Sequence, residues 1–228
     1  MKLKQLTDRV WYYGPDQAMD RPLLGYVQGD EKSLAVDVGF SPDHAEGFYR
    51  AIEEAGLPAP DYTVITHWHW DHTFGMEKVR GRVIEYEKTA EILEQENKRN
   101  LDPSYARSVR QGYYYLDQEF RGRDLPQIRK ADIIYRDEME LDLGGVAARI
   151  FHTEAPHTED STLVWIPAEK ALFLGDAPLG DFSRGMYVDP GRMQALKETL
   201  KSIDCEYVLM GHEEPLEKRV LIRYLQAM

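Results

Sequence analysis

Short apolar runs separated by turn residues fill the first part of the chain. The runs lie at residues 10–13, 23–27 and 33–37, with Gly14-Pro15 and Gly29-Asp30 between them. Apolar stretches of this length, bounded by Gly, Pro and Asp, are typical of β-strands. The pattern therefore predicts a meander of strands.

A helix is predicted after these strands. Ser41 is a favourable N-cap residue, Pro42 suits the first helical turn, and helical spacing continues until Gly56. His44 falls in the first turn of this helix, where we expect it to be exposed to solvent.

Strand and helix patterns alternate on either side of residues 66–72. The apolar run 62–65 predicts a buried strand, residues 73–79 a short helix, and residues 82–86 another strand. A strand, a helix and a strand at this spacing favour an α/β arrangement in which helices cover a sheet.

The pattern changes between residues 87 and 130. Charged residues alternate there with apolar residues at helical spacing, which predicts two helices separated near Leu101-Asp102-Pro103. The same spacing predicts that Tyr113 packs in the core. We expect a single domain over residues 1–228, in which residues 87–130 form a helical, lid-like insertion.

Strand patterns return after this segment. Residues 139–143 and 146–152 predict two strands, and Gly144-Gly145 predicts the tight turn of a hairpin between them. His152 lies inside a strand pattern, where we expect a hydrogen-bonded structural histidine. Further strands are predicted at 133–135, 162–166, 171–174 and 207–210, and further helices at 190–202 and 216–228.

Composition limits the classes of partner. The formal net charge of −12 disfavours nucleic acid and anionic membranes, whose phosphates the protein would repel. The single cysteine, Cys205, excludes an intramolecular disulfide and a thiolate cluster, so a metal must be bound by nitrogen and oxygen. No apolar stretch is as long as a membrane span, and residues 1–9 do not resemble a secretory signal. We therefore expect a cytoplasmic protein that acts on a small molecule.

Residues that can bind metal concentrate directly after the strand at 62–65. Three histidines and one aspartate fall within residues 67–72. Because side chains alternate along an extended backbone, His67 and His69 are expected to point to one side. Asp71 and His72 break this alternation and suit a second metal ion beside the first.

Three further residues can join this cluster. His157 begins a loop before a strand, and Asp176 and His212 each follow a buried strand and a glycine. Strand ends deliver polar groups to the mouth of a sheet. Asp37 also ends an apolar run, and two interpretations stay open for it. It is a surface turn residue, or it is a hydrogen-bond acceptor behind the loop at residues 66–72, the metal loop.

These residues together resemble the metal-binding motifs of the metallo-β-lactamase superfamily, the glyoxalase II-like hydrolases. The resemblance rests on His67-x-His69-x-Asp71-His72 followed by His157, Asp176 and His212 in this order. It implies a four-layer αββα sandwich, an α/β fold of two facing sheets flanked by helices. It also implies that His67, His69 and His157 bind one ion, that Asp71, His72 and His212 bind another, and that Asp176 bridges the two.

The resemblance further implies a hydrolase that attacks a small ester, thioester, lactone or related substrate with a metal-bound hydroxide. Two divalent ions would activate the water and polarise the substrate, and Asp71 would act as the catalytic residue that orients the nucleophile. Imidazole and carboxylate ligands favour zinc and leave iron or manganese open.

Departures from the family pattern leave the subgroup undefined. Zinc-dependent β-lactamases mostly carry cysteine where Asp176 stands, so the subgroup that hydrolyses antibiotics is disfavoured. An alternative is a mononuclear iron oxidoreductase of the persulfide dioxygenase type. A metal-stabilised binding protein without catalysis is disfavoured, because structural sites close their coordination with four ligands.

Selectivity for the substrate is expected to come from the helical segment. We expect Tyr114 or Tyr115 to face the metals and to contact the substrate. The arginines of this segment leave two interpretations open: they pair with an anionic end of the substrate, or they solvate helix surfaces. They are Arg107, Arg110, Arg121 and Arg123.

Overall fold

The structure is a computed structural model that describes residues 2–227, and two β-sheets form its centre. Among the described residues, the first sheet has seven strands paired in chain order. They are β1 (Leu3–Gln5), β2 (Val10–Tyr13), β3 (Leu24–Gln28), β4 (Ser33–Val36), β5 (Tyr62–Val64), β6 (Arg82–Tyr86) and β7 (Ile133–Tyr135). Strands β2 to β4 form the predicted meander, and β1, which was not predicted, pairs antiparallel with β2. Strands β4 to β7 are parallel.

The second sheet comes from the latter part of the chain. Its six strands within the described range pair in the order β13-β12-β11-β10-β9-β8. They are β8 (Glu138–Asp142), β9 (Ala147–His152), β10 (Thr162–Ile166), β11 (Ala171–Gly175), β12 (Tyr207–Met210) and β13 (Leu216–Glu217). Strands β8 and β9 form the predicted hairpin around Gly144-Gly145. Strands β11 and β12 are parallel, so both deliver their carboxyl ends to the same edge.

Helices cover the outer face of each sheet. They are α1 (Pro42–Glu54), α2 (Trp70–Thr73), α3 (Glu87–Asn100), α4 (Pro103–Gly112), α5 (Tyr114–Glu119), α6 (Pro190–Ser202) and α7 (Lys218–Ala227). The predicted start of α1 is confirmed, because the Ser41 side chain accepts from the His44 backbone N–H and Pro42 occupies the first turn. Within residues 2–227 no helix is both long and apolar enough to cross a bilayer.

Four hydrophobic clusters hold the layers together. The central cluster joins side chains of both sheets, such as Val64 from β5 and Phe173 from β11. On the outside, Phe48 of α1 packs against the first sheet, and Leu196 of α6 packs against the second. Burying one side chain of this size stabilises the folded state by about 1.5–3 kcal/mol. The αββα arrangement implied by the sequence is therefore confirmed.

The helical segment between β6 and β7 contains three helices rather than the two predicted. The additional break falls at Tyr113, whose backbone is extended (φ −129°, ψ 117°) between α4 and α5. Gly112 is the last residue of α4, directly before this break, and glycine is a poor helix former. Glu119 at the end of α5 pairs with Arg21 at 2.6 Å and also accepts from Ser41 Oγ, which ties the segment to the rest of the fold.

His44 is buried rather than solvated, and that prediction is wrong. Its side chain is only 1% exposed, and its Nδ1 accepts from the backbone N–H of Phe40 at 3.2 Å. Gly39 adopts a positive φ of 81° and its missing Cβ leaves room for the imidazole. Burial lowers the pKa of His44 to about 3, so the ring is neutral.

His152 has the structural role that the strand pattern predicted. Its ring stacks on Tyr86 of the first sheet with 4.5 Å between ring centroids and 4° between planes. Its Nδ1 lies 3.1 Å from the carbonyl oxygen of Ser161. The ring therefore links the two sheets and does not join the metal-binding residues.

Candidate metal centre

The candidate ligands meet at one edge of the two sheets. His67, His69, Asp71 and His72 follow β5 and enter the short helix α2. Asp176 follows β11 and His212 follows β12, whereas His157 lies in the loop between β9 and β10. Residues that are far apart in sequence converge here because the parallel strands end at the same edge.

Three histidines form the first ligand group. One ring nitrogen from each of His67, His69 and His157 lies within 4.8 Å of the other two. His157 Nε2 is 3.0 Å from His69 Nδ1, and the rings of these two residues are nearly perpendicular at 83°. Three imidazoles that converge with this spacing can bind one divalent cation.

The second ligand group contains two carboxylates and two histidines. Asp71, His72, Asp176 and His212 each place one ligand atom within 4.8 Å of the others. His212 Nε2 lies 3.0 Å from Asp71 Oδ2 and 3.3 Å from Asp176 Oδ2. His72 Nε2 lies 3.5 Å from the same Asp176 oxygen.

Asp176 lies between the two groups. Its Oδ2 is 3.8 Å from His157 Nε2 of the first group, as well as close to His72 and His212 of the second. Gly211 makes this approach possible, because a Cβ at that position would overlap Asp176 Oδ1. The glycine that precedes His212 in the sequence therefore has a steric role in the site.

Several buried polar atoms in these groups lack hydrogen-bond partners. His67 Nε2, His72 Nε2 and Asp176 Oδ1 have no partner among the described residues. Leaving such a buried atom unsatisfied costs about 1–3 kcal/mol. The nitrogen and oxygen donor set, buried and aimed inward, is therefore compatible with a divalent metal centre.

Burial keeps His67 and His69 of the first group neutral. Burial, together with the neighbouring His72 and His69, holds the pKa of His67 well below its usual value. Burial and His157 lower the pKa of His69 to about 3. A neutral imidazole has a free lone pair, which is the form that binds a metal.

Charge pairing dominates the second group. Burial opposes a charge on His212, but the carboxylates of Asp176 and Asp71 outweigh it and raise the pKa to about 11. Burial likewise opposes the ionised forms of Asp71 and Asp176, yet the adjacent imidazoles of His72 and His212 hold both pKa values well below the usual range. Two buried carboxylates thus require positive charge beside them, which bound cations can supply.

Asp37 supports the metal loop from behind, which decides between the two interpretations left open. Its carboxylate accepts from the Thr66 backbone N–H at 2.7 Å and from Thr66 Oγ1 at 2.8 Å. His72 Nδ1 lies 2.8 Å from Asp37 Oδ2, so the other ring nitrogen is left to face the site. Carboxylates in this position orient the ring and raise its basicity as a ligand.

Two supporting residues were missed by sequence reasoning. Asp20 Oδ1 lies 3.5 Å from His212 Nδ1, and its backbone has a positive φ of 55°. Asp160 is fully buried and accepts from the Trp68 backbone N–H at 2.9 Å, which connects the loop carrying His157 to the loop carrying His67.

A cavity of about 470 Å³ opens onto both ligand groups. The three consecutive tyrosines at 113–115 line it, so Tyr114 and Tyr115 lie at the cavity and Tyr113 has a wall position as well as core contacts. Tyr114 is 72% exposed. Trp70, which follows His69, completes the adjoining wall.

The arginines of the helical segment do not line this cavity. Arg107, Arg110 and Arg123 line a separate cavity between α4 and the following loop. Arg121 pairs with Asp117 at 3.8 Å on the helix surface. Of the two interpretations of these arginines, the structure supports the one in which they solvate helix surfaces.

Comparison with known proteins gives a family match over most of the chain. A family model described as the metallo-beta-lactamase superfamily matches residues 23–212. The solved metallo-beta-lactamase from Pontibacter korlensis has a similar fold, with a TM-score of 0.68 and 20% sequence identity. That alignment covers 100% of this chain and 99% of the other.

Two curated relatives are longer than this chain. The beta-lactamase-like protein 2 homolog of Caenorhabditis elegans is 25% identical over 222 residues, which covers 96% of this chain and 65% of the relative. The 2,4-dinitroanisole O-demethylase subunit alpha of Nocardioides sp. (strain JS1661) is 24% identical over 154 residues, which covers 66% of this chain and 39% of the relative. The chain thus spans about two thirds of the first relative and about two fifths of the second.

Proposed function

Because the chain belongs to the metallo-beta-lactamase superfamily, we propose that it is a binuclear metal-dependent hydrolase of a small ester, thioester, lactone or related substrate. One observation carries the proposal: Asp176 lies between two ligand groups that open onto a single cavity. Catalytic metal sites leave room for water and substrate, whereas structural sites are closed. The adjoining cavity supports the catalytic use.

Two divalent ions, with zinc favoured and iron or manganese as alternatives, are the proposed cofactors. His67, His69 and His157 would hold the first ion, Asp71, His72 and His212 the second, and Asp176 both. When bound, the ions would lower the pKa of a shared water and polarise the bond under attack. The ligands are imidazoles and carboxylates, which suit all three metals.

Asp71 has the proposed catalytic role beside its role as a ligand. Its carboxylate lies at the cavity, with Oδ2 3.0 Å from His212 Nε2. From this position Asp71 would accept a hydrogen bond from the attacking water, orient it, and pass a proton to the leaving group. Asp37 would keep His72 oriented, and the burial of the site would limit the access of other water.

The proposed partner is a small molecule rather than nucleic acid or a membrane surface. The cavity of about 470 Å³ has the size of a small-molecule site, and the net charge of −12 would repel phosphate-rich partners. The name of the Nocardioides relative refers to O-demethylation of 2,4-dinitroanisole. An activated aryl ether is therefore a further candidate for the bond that this protein hydrolyses.

Elemental analysis of protein purified without added metal, combined with activity assays, tests the proposal. We expect about two metal ions per chain and hydrolysis of at least one member of a panel containing an ester, a thioester, a lactone and 2,4-dinitroanisole. His67→Ala should lose one metal ion and the activity. Cys205→Ser is the control and should keep both its metal content and its activity.

One iron per chain, with oxygen consumed on a persulfide and no hydrolysis, would instead support the mononuclear oxidoreductase. Full two-metal occupancy without turnover of any substrate class would contradict the hydrolase.

A further inference from the structure

Three aromatic side chains form a continuous wall on one side of the cavity. Trp70 and Tyr113 lie 4.3 Å apart between ring centroids, and Tyr113 and Phe182 lie 5.0 Å apart. Phe182 also meets Trp70 edge to face at 5.9 Å. Trp70 sits between the candidate ligands His69 and Asp71, so the wall is attached directly to the metal loop.

The mouth of the cavity exposes further apolar surface. Leu179 is 37% exposed, Phe182 40%, Met186 50% and Tyr114 72%. All four residues line the same cavity, although they come from two separate segments of the chain. Large apolar side chains that stay exposed together at the entrance of a pocket indicate a surface that a ligand covers.

The cavity offers no lysine or arginine side chain to a substrate. Among the described residues that line it there is neither lysine nor arginine, and the acidic Asp20 lies at its edge. Three of the arginines of the helical segment line another cavity, where Arg110 donates to the carbonyl oxygen of Arg123 at 3.0 Å. A carboxylate or phosphate on the non-reacting part of a substrate would therefore find no lysine or arginine with which to pair.

We propose that this site is selective for substrates whose non-reacting part is an uncharged aromatic ring, seated against Trp70, Tyr113 and Phe182. The inference rests on the proposed hydrolase function, since it names the substrate class of the same site. Aromatic rings gain from stacked and edge-to-face contacts beyond the area that they bury. The absence of a lysine or arginine partner adds discrimination against anionic analogues.

A matched series of acetate esters tests the inference. Benzyl acetate, n-butyl acetate and 4-(acetoxymethyl)benzoate all release a primary alcohol, but they differ in having a neutral ring, no ring, or a charged ring. With the metal-loaded enzyme we expect kcat/KM for benzyl acetate to exceed that for each of the others by at least about tenfold. Equal values for the three esters, or a preference for the charged ester, would overturn the inference.

Two variants locate the selectivity. Phe182→Ala should raise KM for benzyl acetate by more than it raises KM for n-butyl acetate, with the metal content close to wild type. Leu179→Arg should improve the charged ester relative to benzyl acetate by about tenfold, because it supplies the missing cationic partner. Tyr224→Ala is the matched control, since this tyrosine is 65% exposed on α7 and does not line the cavity.

A binding measurement separates this inference from the proposed function. Saturation-transfer NMR with metal-loaded protein would compare benzyl alcohol, 1-butanol and 4-(hydroxymethyl)benzoate, which are the alcohols of the three esters. Binding of benzyl alcohol alone, weakened in Phe182→Ala, would support the aromatic site even if no ester is hydrolysed. Hydrolysis without any preference for the ring would support the hydrolase and refute the aromatic site. If benzyl alcohol does not bind and no ester is hydrolysed, both the aromatic site and the hydrolase are refuted.

Discussion

Glu85 in β6 is a buried acid that the folded state holds protonated, so the stability of this protein should fall as the pH rises. Its side chain is 1% exposed, and Oε1 has no hydrogen-bond partner among the residues that the structure describes. Burial, with smaller contributions from Asp160 and Asp132, raises the pKa of Glu85 from 4.5 to about 8. At neutral pH the carboxyl is therefore mostly protonated in the folded protein and ionised in the unfolded chain.

The sign of the effect follows from proton linkage. The folded state binds the proton more tightly, so the contribution of Glu85 to stability is greatest below the unfolded pKa of 4.5. It declines as the pH rises and levels off near the folded pKa of about 8. One pKa unit corresponds to about 1.4 kcal/mol, so the loss between about pH 5 and pH 7.5 is on the order of 3 kcal/mol.

Glu85→Gln removes this titration and should separate it from packing effects. We expect the free energy of unfolding of the variant, relative to wild type, to improve by about 3 kcal/mol from pH 5 to pH 7.5. Urea unfolding followed by circular dichroism at both pH values, at one fixed metal concentration, measures the difference. Packing changes caused by the amide cancel because they are the same at both pH values.

Glu140→Gln is the matched control, since Glu140 is exposed on β8. It should show no such change with pH. A constant difference in the free energy of unfolding between Glu85→Gln and wild type at the two pH values would refute the assignment of a raised pKa to Glu85.

The remaining predictions concern the metal centre. Asp176→Ala should weaken the binding of both ions, and His67→Ala that of one, because Asp176 Oδ2 lies near ligand nitrogens of both groups. Equal two-metal occupancy in Asp176→Ala and wild type, by elemental analysis, would exclude a bridging role. Asp37→Ala should lower metal affinity by about 10–100-fold in a chelator competition assay, since it frees the His72 ring; unchanged affinity would contradict its supporting role. Cys205→Ser should keep metal content and activity, because Cys205 packs in the cluster under α6 and α7. Loss of metal in this variant would disprove the prediction that Cys205 is not a ligand.

In the helical segment, residues 87–130, local sequence determines the helices, whereas the tertiary structure determines what they contact. Apolar spacing between residues 87 and 130 predicted helices, and the break near Pro103 is present because proline ends a helix whatever surrounds it. The second break, at Tyr113, follows Gly112, which is a poor helix former. It allows the Tyr113 ring to pack on Trp70 while α5 turns to place Glu119 beside Arg21, and contacts of this kind lie outside any local window of sequence.

The strands and the ligand motif could be predicted from the sequence because their signals are short-range. Alternation along β5 and the glycines before Asp176 and His212 are properties of neighbouring residues. Only the folded chain decided that His44 is buried, that Asp37 holds His72 from behind, and which side chains wall the cavity. Burial and pairing depend on residues brought together from distant parts of the chain, and a pattern of neighbours carries no information about them.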